Sequence, residues 1–251
     1  MAVLSTPHPP QCCFFKLAPE LRDSIYEYAL TECKPLLCTA GDATGSPRLL
    51  IQYRFGNTEA KREANQLRYV CRQLRYETQT LSLRYNEIHF HGIENFENFL
   101  LSSIPNLQKR FRNIIIFDDH ESLKRSYTIT QLIHRSMSPV LYGFCSRNSK
   151  ACVVIRHSRR FTEGAWLNIF CKLRETLRED MGDGLESIFD FETAELIRDG
   201  ALSLRRKLYR RYQRPFLNNL RIVPTADYPK TSGHWNAAQL AEAKRLFEEG
   251  C

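Results

Sequence analysis

The chain has 251 residues, 43% of them hydrophobic and 25% charged, with 36 Lys plus Arg against 28 Asp plus Glu and a net charge of +8. This is enough chain and enough apolar content for a buried core, which excludes a disordered, collagen-like or coiled-coil protein. The basic balance admits nucleic acid or an acidic partner and says nothing about fold.

Nine cysteines, an odd number in no regular framework, argue against an extracellular disulfide scaffold. Most are expected to act as small hydrophobes in cores. No Asn-x-Ser/Thr sequon occurs, and the run Met1–Leu4 is too short for a signal peptide. The longest strongly apolar run, Ile114–Phe117, is far short of a membrane span. The expectation is an intracellular protein, cytoplasmic or nuclear, neither secreted nor membrane-bound, with reduced thiols.

Residues 1–13, with three prolines and no periodicity, read as a disordered leader. Pro19 suits the first position of a helix, where its missing N–H is not needed. Glu20 then sits where a negative charge favours the helix dipole. Leu21, Ile25, Tyr28 and Ala29 recur at helical spacing and predict one apolar face, ending near Thr31. Residues 40–48 read as a loop and Leu49–Phe55 as a strand. Leu67, Val70, Cys71, Leu74, Leu81 and Tyr85 predict one long helix over about 58–84. Strand Glu87–His91 and short helix Phe96–Ser103 follow. Arg112–Phe117 reads as a buried strand, Leu123–Tyr142 as helix then turn, and Ala151–Arg156 as another strand. Helices are predicted over Thr162–Met181 and Glu192–Tyr212, then a strand at Leu220–Val223. Asn236 caps a final helix with Gln239 in capping-box spacing, and Gly250 ends it.

The segment Phe15–Thr31, with Leu17-Ala18-Pro19-Glu20-Leu21-Arg22 and then Ile25-Tyr26-Glu27-Tyr28-Ala29-Leu30, resembles the opening of a family of fungal F-box-like proteins. Tyr69-Val70-Cys71-Arg72-Gln73-Leu74-Arg75, followed by Leu83 to Phe90, resembles a second segment of that family in the same order. The likeness covers roughly the first 90 residues. Ala18 stands where the family has its first proline, and the gap from Leu30 to Val70 exceeds that of a compact F-box. The resemblance implies docking on the Skp-type adaptor of cullin–RING ubiquitin ligases, with Leu17, Pro19, Glu20, Leu21, Ile25 and Leu30 at or near the docking face. Read from the residues alone, the same stripe packs internally.

No nucleophile elbow, dinucleotide fingerprint, P-loop or His-Glu-x-x-His occurs, so no enzyme, cofactor, small-molecule substrate or zinc site is expected. His89 and His91 share a strand face, and Asp118, Asp119 and His120 end another strand. They read either as a metal pair of strands or as a polar strand face with a solvated turn. The acids of 118–121 likewise offer a carboxylate pair or a turn.

Between 198 and 214 seven positive residues face one acid, so the rest of the chain is close to neutral. Arg205, Arg206, Lys207, Arg210, Arg211 and Arg214 form a basic patch, interleaved with Tyr209 and Tyr212. It reads as a solvated outer face, or as a surface for phosphate backbones or an acidic protein.

The expected fold is α+β: an F-box-like region at 14–105 and a strand-and-helix region at 106–251 packed on it in one body. The expected function is a non-catalytic interaction module recruiting a target protein to a ubiquitin ligase. The alternative is a basic nuclear or nucleic-acid-associated protein whose F-box-like part is structural.

Overall fold

The computed structural model describes residues 13–39, 48–55, 58–103, 105–118, 138–157, 163–178, 191–212, 217–224 and 236–251. Strands and helices alternate along most of it. Helix α1 (Pro19–Leu30) precedes β1 (Leu36–Thr39), β2 (Arg48–Phe55) and β3 (Thr58–Glu63). Helices α2 (Arg72–Thr78) and α3 (Leu81–Tyr85) lead into β4 (Glu87–His91). Then come α4 (Ile93–Ser102), α5 (Pro105–Gln108), β5 (Asn113–Asp118), α6 (Pro139–Arg147), β6 (Cys152–His157), α7 (Glu163–Arg178), α8 (Phe191–Tyr212), β7 (Leu220–Pro224) and α9 (Ala237–Glu249).

The seven strands form one sheet in the order β3-β2-β1-β4-β5-β6-β7. β1 and β4 to β7 run parallel, whereas β2 and β3 are antiparallel at one edge. The chain is thus a mixed α/β fold in one body, with its sheet continuous across residue 105. Each step from β4 to β7 moves one strand in the same direction. Right-handed crossovers taken in one direction place their helices on the same sheet face.

Burial agrees with that rule. Leu36, Ile51, Ile88, Phe90, Ile114, Ile116, Val153, Ile155, Leu220 and Ile222 share one side-chain parity and belong to one core cluster. Phe96, Phe99, Phe144, Phe170, Leu173, Ile197 and Leu246 supply its helical layer. Phe96, Phe111 and Phe144 meet edge-to-face, an arrangement favoured by the ring quadrupole.

A second, smaller cluster lies under α1. Tyr26, Leu30 and Leu81 are buried there, with Phe14, Leu67, Leu74 and Tyr85 packed around them. Helix α3 joins the two cores, since Leu81 enters the small cluster and Leu83 the large one. This cap leads into the N-terminal ends of β1 and β4.

The long helix expected over 58–84 is replaced by β3, a 3-10 turn at Gln66–Tyr69, α2 and α3. Pairing with β2 converts Thr58–Glu63 to strand, although its sequence has no strand pattern. Strand β1 was not expected from sequence. The isoleucine strand, the helices around Trp166 and Leu204, and the capping box at Asn236 and Gln239 appear within a few residues of expectation. The expected leader up to residue 12 and most of Leu123–Tyr142 lie outside the described residues. No helix among the described residues is long and apolar enough to cross a membrane.

Candidate functional site

Helix α1 starts without a side-chain cap. Ala18 holds the N-cap position in an extended conformation, and its carbonyl accepts the N–H groups of Leu21 and Arg22. Pro19 at the first turn and Glu20 beside it favour the start, as the sequence implies. At the other end the N–H and hydroxyl of Thr31 both donate to the Glu27 carbonyl, and Thr31 itself is extended.

The helix presents two apolar sets. Tyr26 and Leu30, at i and i+4, are 2% and 1% exposed and face the small core. Leu17, Leu21, Ile25 and Tyr28 are 37%, 56%, 43% and 90% exposed. Leu21, Ile25 and Tyr28 fall at i, i+4 and i+7, so they form one stripe, turned outward. Internal packing of that stripe is therefore not what the structure shows. Pro19 and Glu20 are exposed as well, whereas Leu30, expected at the docking face, is buried. It sits one turn after Tyr26 on the inward side, where Leu81 receives it.

Polar contacts fix that orientation. The Arg22 Nη1 donates to both carboxylate oxygens of Glu77 on α2, at 2.6 and 2.8 Å. The Tyr26 hydroxyl donates to the same carboxylate at 2.6 Å, and Gln73 adds a donor at 2.9 Å. Burial pushes the Glu77 carboxyl upward. The bonds from Tyr26, Gln73 and Arg22 and the arginine charge outweigh it, and the group lies below its ordinary value. Burial and the facing carboxylate push the Tyr26 hydroxyl up in turn.

The segment Tyr69–Arg75, the second one quoted for the resemblance, leads into the start of α2. Cys71 is its N-cap, with Sγ accepting the Leu74 N–H at 3.4 Å. Leu74 packs into the small core, while Tyr69, Val70 and Tyr76 are exposed. The two sequence segments thus meet in one helical cap, each leaving apolar side chains outside.

No family model, curated protein or solved structure matches this chain. The likeness to F-box-like proteins rests on the residues quoted above.

The other candidates separate. On α8, Ile197, Ala201 and Leu204 are buried and Arg206 is exposed. The side chains at 205, 207, 210 and 211, and Arg214 altogether, lie outside the described residues. His89 and His91 do share a face, and Asp118 is on the opposite, helix-covered one, so these three side chains do not meet. Asp119, His120 and Glu121 lie outside the described residues. Asp118 instead lies beside His157, with Oδ2 3.4 Å from Nδ1, both buried at the C-terminal ends of neighbouring parallel strands. Sequence reasoning missed His157, whose only signal is the matching end register of two strands. Among the described residues no group of three His, Cys, Asp or Glu side chains is placed to hold a metal. The eight described cysteines are free thiols. Burial pushes Cys38 and Cys145 up to about 12, which keeps them protonated like ordinary core residues.

Proposed function

We propose that this protein is a non-catalytic interaction module that docks a Skp-type adaptor through α1 and recruits a target protein to a cullin–RING ubiquitin ligase. One observation carries the reading: the stripe Leu17, Leu21, Ile25 and Tyr28 faces solvent while Tyr26 and Leu30 hold the helix to the body. An amphipathic helix ordinarily needs only one apolar side for its own fold. A second apolar side is surplus to folding and suited to a partner groove, read through anchors at i, i+4 and i+7. The mechanism is proximity, with the ligase chemistry performed elsewhere.

The test is a pull-down of purified adaptor on the immobilised chain. The wild type is expected to bind at micromolar concentration, and Leu21→Asp with Ile25→Asp is expected to abolish binding without lowering the melting temperature. An adaptor that ignores the wild-type chain at that concentration would falsify the reading.

A second reading, nucleic-acid association through the 198–214 helix, draws support from α8. Its buried Ile197, Ala201 and Leu204 leave Arg206 on the outer side. Retention on nucleic acid that falls steeply with salt, and falls further with Arg206→Glu, separates it from the first.

A further inference from the structure

Helices α1 and α2 meet at the Glu77 carboxylate, which takes donors from Arg22 and Tyr26 on α1 and from Gln73 on α2 itself. Side chains turn about 100° per residue along a helix. The residues one place before Arg22, Tyr26, Gln73 and Glu77 are Leu21, Ile25, Arg72 and Tyr76, and all four are exposed. On α2 the residues one place after, Leu74 and Thr78, turn the other way, toward the small core and into burial. The two helices therefore show one outer surface on the solvent side of the bridge. Tyr28 and Tyr76 stand at its crests, each more than three-quarters exposed.

The two borders of this surface carry opposite charge. Glu20 and Glu27 stand two and five residues from Arg22, and Arg75 and Arg72 two and five residues from Glu77. Those offsets turn each about 140–160° from the bridge, onto the far flank of its own helix. All four are exposed, and none forms an ion pair among the described residues. A two-fold axis parallel to the helices lays α1 of one copy over α2 of another, and α2 over α1. That operation sets acidic border on basic border twice and closes the apolar side chains between them. An axis across the helices would set acid on acid. A partner of one charge would match one border and repel the other.

We propose that two copies of the chain pair through this surface, α1 of each against α2 of the other, in a weak dimer that the adaptor must displace. With 12 residues in α1 and 7 in α2, the helices are about 18 and 10 Å long. Packed about 9 Å apart they offer a footprint of roughly 300 Å² per copy, well under the ~800 Å² per partner of a standard interface. The pairing is therefore transient and needs micromolar protein or more. The displacement rests on the adaptor reading above; the pairing does not.

The experiment is sedimentation velocity of the full chain from micromolar to submillimolar concentration. The mass is expected to rise from 29.4 kDa to twice that value. Leu21→Asp with Ile25→Asp should hold it at the monomer. Glu20→Arg with Glu27→Arg makes both borders basic, and Arg72→Glu with Arg75→Glu makes both acidic. Each variant alone should pair at least about tenfold more weakly than wild type, and an equal mixture of the two at least about tenfold more tightly than either alone. Saturating adaptor should leave a complex holding one copy of the chain. A monomer at every concentration, a dimer that Leu21→Asp with Ile25→Asp leaves intact, or a mixture no tighter than its components would overturn the pairing, and adaptor captured in the pull-down would still leave the adaptor reading standing. An adaptor complex that holds two copies would overturn the displacement. A dimer in a chain that binds no adaptor would support the pairing and end the displacement together with the adaptor reading.

Discussion

The side chain of Asn86 holds the backbone of Leu30: Nδ2 donates to the Leu30 carbonyl at 2.7 Å. The same amide donates to the Ser82 carbonyl at 3.0 Å, and Oδ1 accepts the Glu32 N–H at 2.7 Å. One buried residue thus ties the end of α1 to the end of α3, and both helices lead directly into paired parallel strands, β1 and β4. Asn86→Ala leaves two carbonyls and an N–H without that partner, and should destabilise the chain by about 2–3 kcal/mol in urea titration. Asn86→Asp sets a carboxylate oxygen against both carbonyls and buries its charge, so it should cost at least as much as the alanine change.

The two apolar sets of α1 predict opposite outcomes. Tyr26→Ala and Leu30→Ala each open a cavity in the small core and should cost about 2–5 kcal/mol. Leu21→Ala and Ile25→Ala, at exposed positions, should stay within about 0.5 kcal/mol of wild type. Denaturant midpoints measured at constant slope decide it, and equal losses in both sets would contradict the orientation of the helix.

Glu77 makes the cap sensitive to acid. Its folded-state pKa lies below the unfolded value because Tyr26, Gln73 and Arg22 stabilise the carboxylate more than burial opposes it. The contribution is therefore fully present above the unfolded carboxylate value near 4.5 and is lost as pH falls through the folded one. Glu77→Gln should lower stability at neutral pH and flatten the profile below it. Stability curves of both proteins from neutral to strongly acid pH, converging at the acid end, check the assignment.

Gly250 ends α9 with φ +75°, in the left-handed region. A Cβ there would stand 2.8 Å from Cγ2 of Val223 and 3.0 Å from the Ile222 carbonyl oxygen. The next residue exchanges backbone bonds with Ile222, at 2.9 and 3.2 Å, so the turn cannot move away without breaking them. Gly250→Ala should cost about 1–3 kcal/mol by thermal unfolding.

Between α7 and α9, Arg174 and Glu242 form a buried pair at 3.4 Å, with Arg245 on the same carboxylate at 2.9 Å. Glu242→Ala takes this carboxylate away from the buried Arg174 guanidinium and should destabilise the chain measurably in urea titration. Replacing both partners, Arg174→Met with Glu242→Leu, should recover much of that loss. A double variant no more stable than the single one would refute it.

Local signals were legible where the physics is local. Asn236 and Gln239 bond each other's backbone within one turn, Pro19 starts a helix by its own ring, and the isoleucines of β5 make a strand in any order of neighbours. Helical spacing failed over 58–84, because Thr58–Glu63 is a strand only through β2 and the remainder breaks at the turns flanking α2.

The candidate surfaces divide the same way. Sequence by itself determined that α1 carries apolar residues at helical spacing and that positive charge concentrates in 198–214. It could not say which apolar set of α1 points inward, because Leu21, Ile25 and Tyr28 have the same periodicity as Tyr26 and Leu30. The tertiary structure decided it: Glu77 and Leu81, some fifty residues along the chain, supply the carboxylate and the apolar contact that Arg22, Tyr26 and Leu30 meet. It also decided that Tyr76 joins the outward set of Leu21, Ile25 and Tyr28, since the Arg22–Glu77 bridge fixes how α2 is turned against α1.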